Sequence, residues 1–180
     1  MIYMLLANGF EEVEALAPLD MLRRAKLNVK TVSIEDSREV CGAHGVSVIA
    51  DIMPADAGDS IDMLIFPGGM PGSSRLDASA VTDAMIERAR CDGARFAAIC
   101  AAPLVLGKRG LLRGKRATCY PGFEEYLEGA VMEDASVVTD GNVTTAVGMG
   151  AALAFGAELV SLFSGRDASD AILSAVQAKK

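Results

Sequence analysis

The chain has 180 residues, 51% of them hydrophobic and 23% charged, as in a compact globular protein rather than a disordered or fibrous one. Seventeen Lys and Arg against 24 Asp and Glu leave a formal net charge of -7. That is the wrong sign for holding a phosphate backbone, so nucleic acid is not an expected partner.

One domain, residues 1–180, is expected, long enough to bury roughly 70% of its unfolded surface without a disulfide or metal staple. The apolar opening Met1–Ala7 has no basic residue before it and runs straight into Glu11 and Glu12. It reads as a buried first strand, not a secretory leader. Short apolar or β-branched runs recur at Ile2–Leu6, Val29–Ile34, Val46–Ala50, Met63–Phe66, Arg95–Ile99 and Ser136–Thr139. Between them, helical spacing groups Val13, Ala17 and Met21, then Val81, Met85 and Ala89, then Leu153, Ala157 and Val160. The alternation predicts an α/β fold with a mostly parallel sheet between helices. Glu39–Asp51 and Glu133–Thr145 read as small strand excursions around Gly42, Gly45 and Gly141. The uncharged stretch between Asp140 and Glu158 is short of the roughly 18–20 apolar residues a bilayer needs and contains four glycines, so no membrane span is expected. Cys41, Cys91, Cys100 and Cys119 are scattered without an export signal, which suits reduced thiols in a cytoplasm.

Ligands of open α/β sheets gather outside the carboxyl ends of the strands. Three such ends carry chemistry: Ala7 to Glu14, Pro67 to Gly72, and Ala97 to Pro103. Cys100 is expected at a strand-to-helix turn, its sulfur near the helix N-terminus, where free N–H groups favour thiolate; the plainer reading is a buried small hydrophobe. Glu11, Glu12 and Glu14 crowd the start of the first helix, where two of them complement its dipole. Glu14 is placed half-buried, and Pro18 four residues later cannot donate to its carbonyl and should distort the helix. A carboxyl held there has a raised pKa and can donate a proton beside a sulfur. Pro67-Gly68-Gly69 offers backbone N–H groups to an oxyanion, although such turns are more often simply turns. Gly148-Met149-Gly150 lacks the third glycine of a dinucleotide fingerprint and lies far from the first strand, so it is set aside. His44 is the only histidine and there is no cysteine pair at finger spacing, so no metal is expected. Between Ala43 and Gly45 it reads as an exposed turn residue.

Taken in order, Gly-Phe-Glu-Glu-Val-Glu-Ala, Pro-Gly-Gly and Ala-Ala-Ile-Cys-Ala resemble the ThiJ/PfpI superfamily, and more closely its branch containing the parkinsonism-associated protein deglycase. The resemblance runs from the first strand to about Gly165. It implies a flavodoxin-like three-layer sandwich, usually dimeric, with Cys100 as nucleophile, Glu14 as its protonated partner, and the N–H groups of Gly69 and Ala101 as the oxyanion site. It also implies cofactor-free, glutathione-independent glyoxalase or deglycase chemistry on small aldehydes such as methylglyoxal and glyoxal, or on their adducts, giving 2-hydroxy acids. An oxidative-stress sensor or redox-regulated chaperone using the same cysteine is the alternative. Two positions depart from the pattern. Tyr120 stands where many relatives carry a histidine, which weakens any Cys-His dyad. His44 stands where the branch often has an arginine that reaches the partner subunit's site.

Overall fold

The computed structural model describes residues 1–58 and 60–178. In chain order the elements are β1 (Ile2–Leu6), α1 (Glu12–Arg24), β2 (Val29–Ser33), β3 (Glu39–Cys41), β4 (Ser47–Ile49), β5 (Met63–Phe66), α2 (Gly72–Asp77), α3 (Ala80–Cys91), β6 (Arg95–Ile99), α4 (Pro103–Gly107), β7 (Arg116–Ala117), β8 (Val131–Met132), β9 (Val137–Asp140), β10 (Val143–Ala146), α5 (Ala152–Ser164) and α6 (Arg166–Ala175). The main sheet has the order β2-β1-β5-β6-β10-β9. All its pairings are parallel except β9 against β10. Leaving out the antiparallel edge, this is the flavodoxin-like doubly wound order, with its switch point between β1 and β5.

Every residue of β1, β5 and β10 is buried, as strands covered on both faces must be. On one face Leu64, Phe66 and Phe96 pack with Ile86 of α3 and Leu104 of α4. On the other, Met4, Leu6 and Met63 pack with Leu22 of α1 and with Phe155 and Leu159 of α5. The helices α1 and α5 meet where Gly156 leaves no room for a side chain: a Cβ there would stand 2.9 Å from the Pro18 Cα and 2.8 Å from the Met21 sulfur. That contact turns Glu14, Pro18, Met21 and Leu22 inward. Val13 and Leu153, expected on core-facing stripes, are instead 46% and 44% exposed. The distortion expected at Pro18 does not interrupt α1, which stays helical from Glu12 to Arg24.

The segment Glu133–Thr145 needs correction. It is no peripheral excursion, because β10 lies inside the main sheet between β6 and β9. The Gly141 turn does join two antiparallel strands, but β10 is buried at every residue and parallel to β6. The excursion expected over Glu39–Asp51 is a separate β3–β4 hairpin. Among the described residues no helix is long and apolar enough to cross a membrane.

Candidate active site

The loops leaving β1, β5, β6 and β10 converge at the carboxyl edge of the sheet, beside the switch point. Cys100 follows β6 directly and holds φ at +64°, a left-handed conformation that a non-glycine residue keeps only when its surroundings enforce it. Its N–H donates to the Ala146 carbonyl at 2.8 Å, and its carbonyl accepts from the Tyr120 N–H at 2.9 Å. Clamped on both sides, the residue projects its sulfur from a sharp turn. The helix behind it differs from expectation: α4 starts only at Pro103 and spans five residues. Its dipole is too short to be the source of activation, and the individual N–H groups of Ala101 and Gly69 reach the sulfur instead.

Glu14 comes from the first turn of α1 and is 1% exposed. Glu11 caps the helix by accepting the Glu14 N–H at 2.6 Å on its side chain, and the Glu11 N–H donates to the Gly68 carbonyl at 2.9 Å. These bonds tie the start of α1 to the Pro67-Gly68-Gly69 loop. Gly68 lies between the two reactive groups, where a Cβ would collide with the Glu14 Oε2 and stand 2.6 Å from the Cys100 Cβ. A glycine is needed here for closeness, not for conformation. Gly69, by contrast, needs both, with φ at +88° and a would-be Cβ 2.7 Å from the Gly9 carbonyl oxygen.

Burial pushes the Glu14 carboxyl up to about 7, the Glu11 charge adding to the shift, while the Cys100 thiol and the N–H groups of Gly68 and Met149 oppose it. Burial likewise pushes the Cys100 thiol up to about 12, reinforced by the charge and hydrogen bond of Glu14 and opposed by Ala101 and Gly69. The expectation of a thiolate favoured by a helix end is thereby corrected. Repulsion from Glu14 exists only while that carboxyl is ionised. With its proton in place, Glu14 no longer repels a charge on the sulfur and can donate a hydrogen bond to it. One of its oxygens, Oε2, is buried with no hydrogen-bond partner. A buried acid beside a thiol, with two N–H groups aimed at the sulfur, can add sulfur to an electrophilic carbon and move a proton next to it.

Tyr120 borders the same pair. A Cβ on Gly148 would lie 3.4 Å from the Tyr120 ring and 3.9 Å from the Glu14 Oε1. His44 is held elsewhere: its Nδ1 lies 2.8 Å from the Glu12 Oε2 and its backbone N–H donates to the Glu12 Oε1 at 2.7 Å. His44 is the exposed turn residue expected, its side chain 71% exposed, but it is bonded to Glu12, whose carboxylate binds the hairpin as well as lying in the first turn of α1. Glu12 is 8% exposed and fastens α1 to the β3–β4 hairpin. The contact spans 32 residues, and only the absence of space at Gly42, where a Cβ would collide with the Glu12 carboxylate, marks it locally. Glu11, Glu12 and His44 also form the one group among the described residues whose side-chain atoms are close enough to share a metal ion. The donors already bonded to both carboxylates make it a better fit to N–H groups than to a cation.

Residues 1–162 match the model of the DJ-1/PfpI family. Protein DJ-1 homolog B of Arabidopsis thaliana is 35% identical over 90% of this chain, which spans only 37% of that protein's length. A deglycase of Pyrococcus horikoshii is 37% identical over 77% of this chain and 84% of its own. The solved structure of oxidized Toxoplasma gondii DJ-1 superposes with a TM-score of 0.94 at 31% identity, covering 99% of this chain and 98% of the other. With the motif order, the doubly wound sheet and the Cys100 turn in agreement, the chain belongs to the DJ-1/PfpI family.

Proposed function

We propose that this protein is a cysteine-dependent, cofactor-free enzyme of the glyoxalase or deglycase type, converting methylglyoxal, glyoxal or their adducts to 2-hydroxy acids. The observation that carries the reading is the buried Glu14 carboxyl, pushed up to about 7 beside the Cys100 sulfur, with one oxygen left without a partner. The deglycase of Pyrococcus horikoshii, at 37% identity, supports it.

In the proposed reaction the Cys100 S–H bond breaks as sulfur bonds to the aldehyde carbon, the carbonyl electron pair moves to oxygen, and the released proton ends on that oxygen as a hemithioacetal. The N–H groups of Gly69 and Ala101 stabilise that oxygen. Glu14 carries a proton from the sulfur-bearing carbon to the neighbouring carbonyl carbon, and the hemithioacetal hydroxyl proton passes to that carbonyl's oxygen, so one carbon is oxidised and the other reduced. Water then cleaves the resulting thioester, releasing the 2-hydroxy acid and the free thiol. No external reductant or oxidant is consumed.

A homodimer is part of the proposal. Val13 and Leu16 on α1 and Leu153 on α5 are exposed apolar residues on helices that pack together, and a second copy would cover them. Light scattering at micromolar concentration checks it, a monomer being the contrary result. Redox sensing has one specific support, a close structural relative solved in oxidized form. A sulfinate at Cys100 would accept a hydrogen bond from protonated Glu14.

The test is 2-hydroxy acid formation from methylglyoxal without added glutathione, with Cys100→Ala as the control. Turnover lost in the variant supports the enzyme. If the reduced protein is inactive and the peroxide-treated protein suppresses aggregation, the sensor reading replaces it.

A further inference from the structure

Three large apolar side chains on the loops that build the site are about half exposed: Met70 at 49%, its sulfur accepting from the Ser74 hydroxyl at 3.6 Å, Tyr120 at 50% and Met149 at 54%. Each is anchored to the pair through backbone. Met70 follows Gly69, whose N–H reaches the sulfur, and the Met149 N–H reaches the Glu14 carboxyl. The Tyr120 N–H donates to the Cys100 carbonyl at 2.9 Å. The Tyr120 ring is braced edge-on by Phe123, with ring centroids 6.4 Å apart.

Charge around the opening is one-sided. The segments 7–14, 67–72, 97–103, 118–121 and 147–151, which build the site, contain no Lys or Arg and three Glu. Of the cationic side chains beside these segments, His44 is engaged by Glu12, and Arg75 lies 4.0 Å from Glu35, which itself accepts the Asn8 N–H. A substrate bearing a carboxylate or phosphate would find no Lys or Arg in these segments, whereas an apolar group would find a ring and two thioethers.

We infer that Met70, Tyr120 and Met149 form an apolar collar selecting electrophiles that carry a neutral aryl or alkyl group. In the reaction proposed above, on which the choice of substrate rests, these are 2-oxoaldehydes substituted at the ketone carbon. The aldehyde carbon bonds to the Cys100 sulfur, its oxygen meets Gly69 and Ala101, and the substituent points outward to the collar.

Alkylation tests the collar without requiring turnover. Phenacyl bromide and iodoacetamide each form a bond from sulfur to carbon and release a halide, but only the first carries a ring. The ratio of their rates at Cys100, followed by peptide mass mapping and divided by the same ratio for free cysteine, should be about 10. It should fall about fivefold in Tyr120→Ala, about two- to threefold in Met70→Ala and in Met149→Ala, and persist in Tyr120→Phe. In parallel, the kcat/KM of phenylglyoxal relative to glyoxal should drop by similar factors in the alanine variants. A normalised ratio near one in the parent protein, or one unmoved by all three alanine substitutions, overturns the collar. If the alkylation preference follows the collar residues while neither aldehyde is consumed, the collar stands and the catalytic reading falls.

Discussion

Glu12 and Glu14 lie two residues apart in the first turn of α1, both less than a tenth exposed, and their environments drive them in opposite directions. Burial would raise both. At Glu12 it is outweighed by the His44 ring, the backbone N–H groups of His44 and Val46, and the residue's own N–H, which together hold the carboxyl below its ordinary value. At Glu14 burial wins over the Cys100 thiol and the Gly68 and Met149 N–H groups, and one oxygen, Oε2, is buried without a hydrogen-bond partner. The balance between burial and donors separates the two carboxylates, Glu12 fastening the hairpin and Glu14 serving, in the proposed reaction, as the proton carrier.

Turnover should separate the two most widely. Glu14→Gln keeps the shape and loses the transferable proton, so kcat on methylglyoxal is expected to fall by about 10²- to 10⁴-fold. Glu12→Gln should cost far less. Equal losses would mean that the α1 turn acts only as a scaffold.

The pH dependence of stability sharpens the contrast because the signs oppose. Glu14 rises from 4.5 to about 7 on folding, so the native state holds more protons than the unfolded chain between those values. Stability from this group is full below pH 4.5 and is lost as pH rises through 7, by about 3 kcal/mol. Glu14→Gln should flatten that slope in urea titrations. Glu12, lowered on folding, contributes stability above pH 4.5 that is lost as pH falls through its native value.

Removing the Glu12 side chain leaves the His44 and Val46 N–H groups of the β3–β4 turn unpaired, so Glu12→Ala should destabilise by about 1–3 kcal/mol in the same titrations, and Glu12→Gln, which keeps the accepting oxygen, by less. His44→Ala is expected to do less, since the His44 side chain is exposed and only the ring bond is lost. The His44 pKa is raised by its Glu12 hydrogen bond. Its effect is therefore fully present below pH 6.5 and fades as pH rises through the native value. A larger cost at pH 9 than at pH 6 would contradict the ion pair.

The parts of this arrangement that could be read from the chain are those carried by local order. Cys100 after an apolar run, Glu14 at a helix start and the Pro67-Gly68-Gly69 turn each announce a strand end. What could not be read depends on distant partners. The Glu12–His44 contact joins residues 32 apart, and the +64° φ of Cys100 falls on a residue type that carries no signal for it. The burial of β10 was masked by the Gly141 turn, whose hairpin pattern is the same at a sheet's edge as inside it. Val13 and Leu153 were misplaced because spacing specifies a stripe but not its limits, which here depend on Gly156 admitting Pro18.

The central claim is that Glu14 is a buried, protonated partner of Cys100, and carbon-13 NMR titration of the glutamate side-chain carboxyls tests it most directly. Assigned by comparison with Glu14→Gln and Glu12→Gln, the Glu14 signal should titrate near 7, while Glu12 remains ionised to below 4.5. In Cys100→Ala the Glu14 midpoint should rise further, since the thiol bond that opposes the shift is gone. Glu14 titrating together with Glu12 in the ordinary carboxylate range would contradict the account.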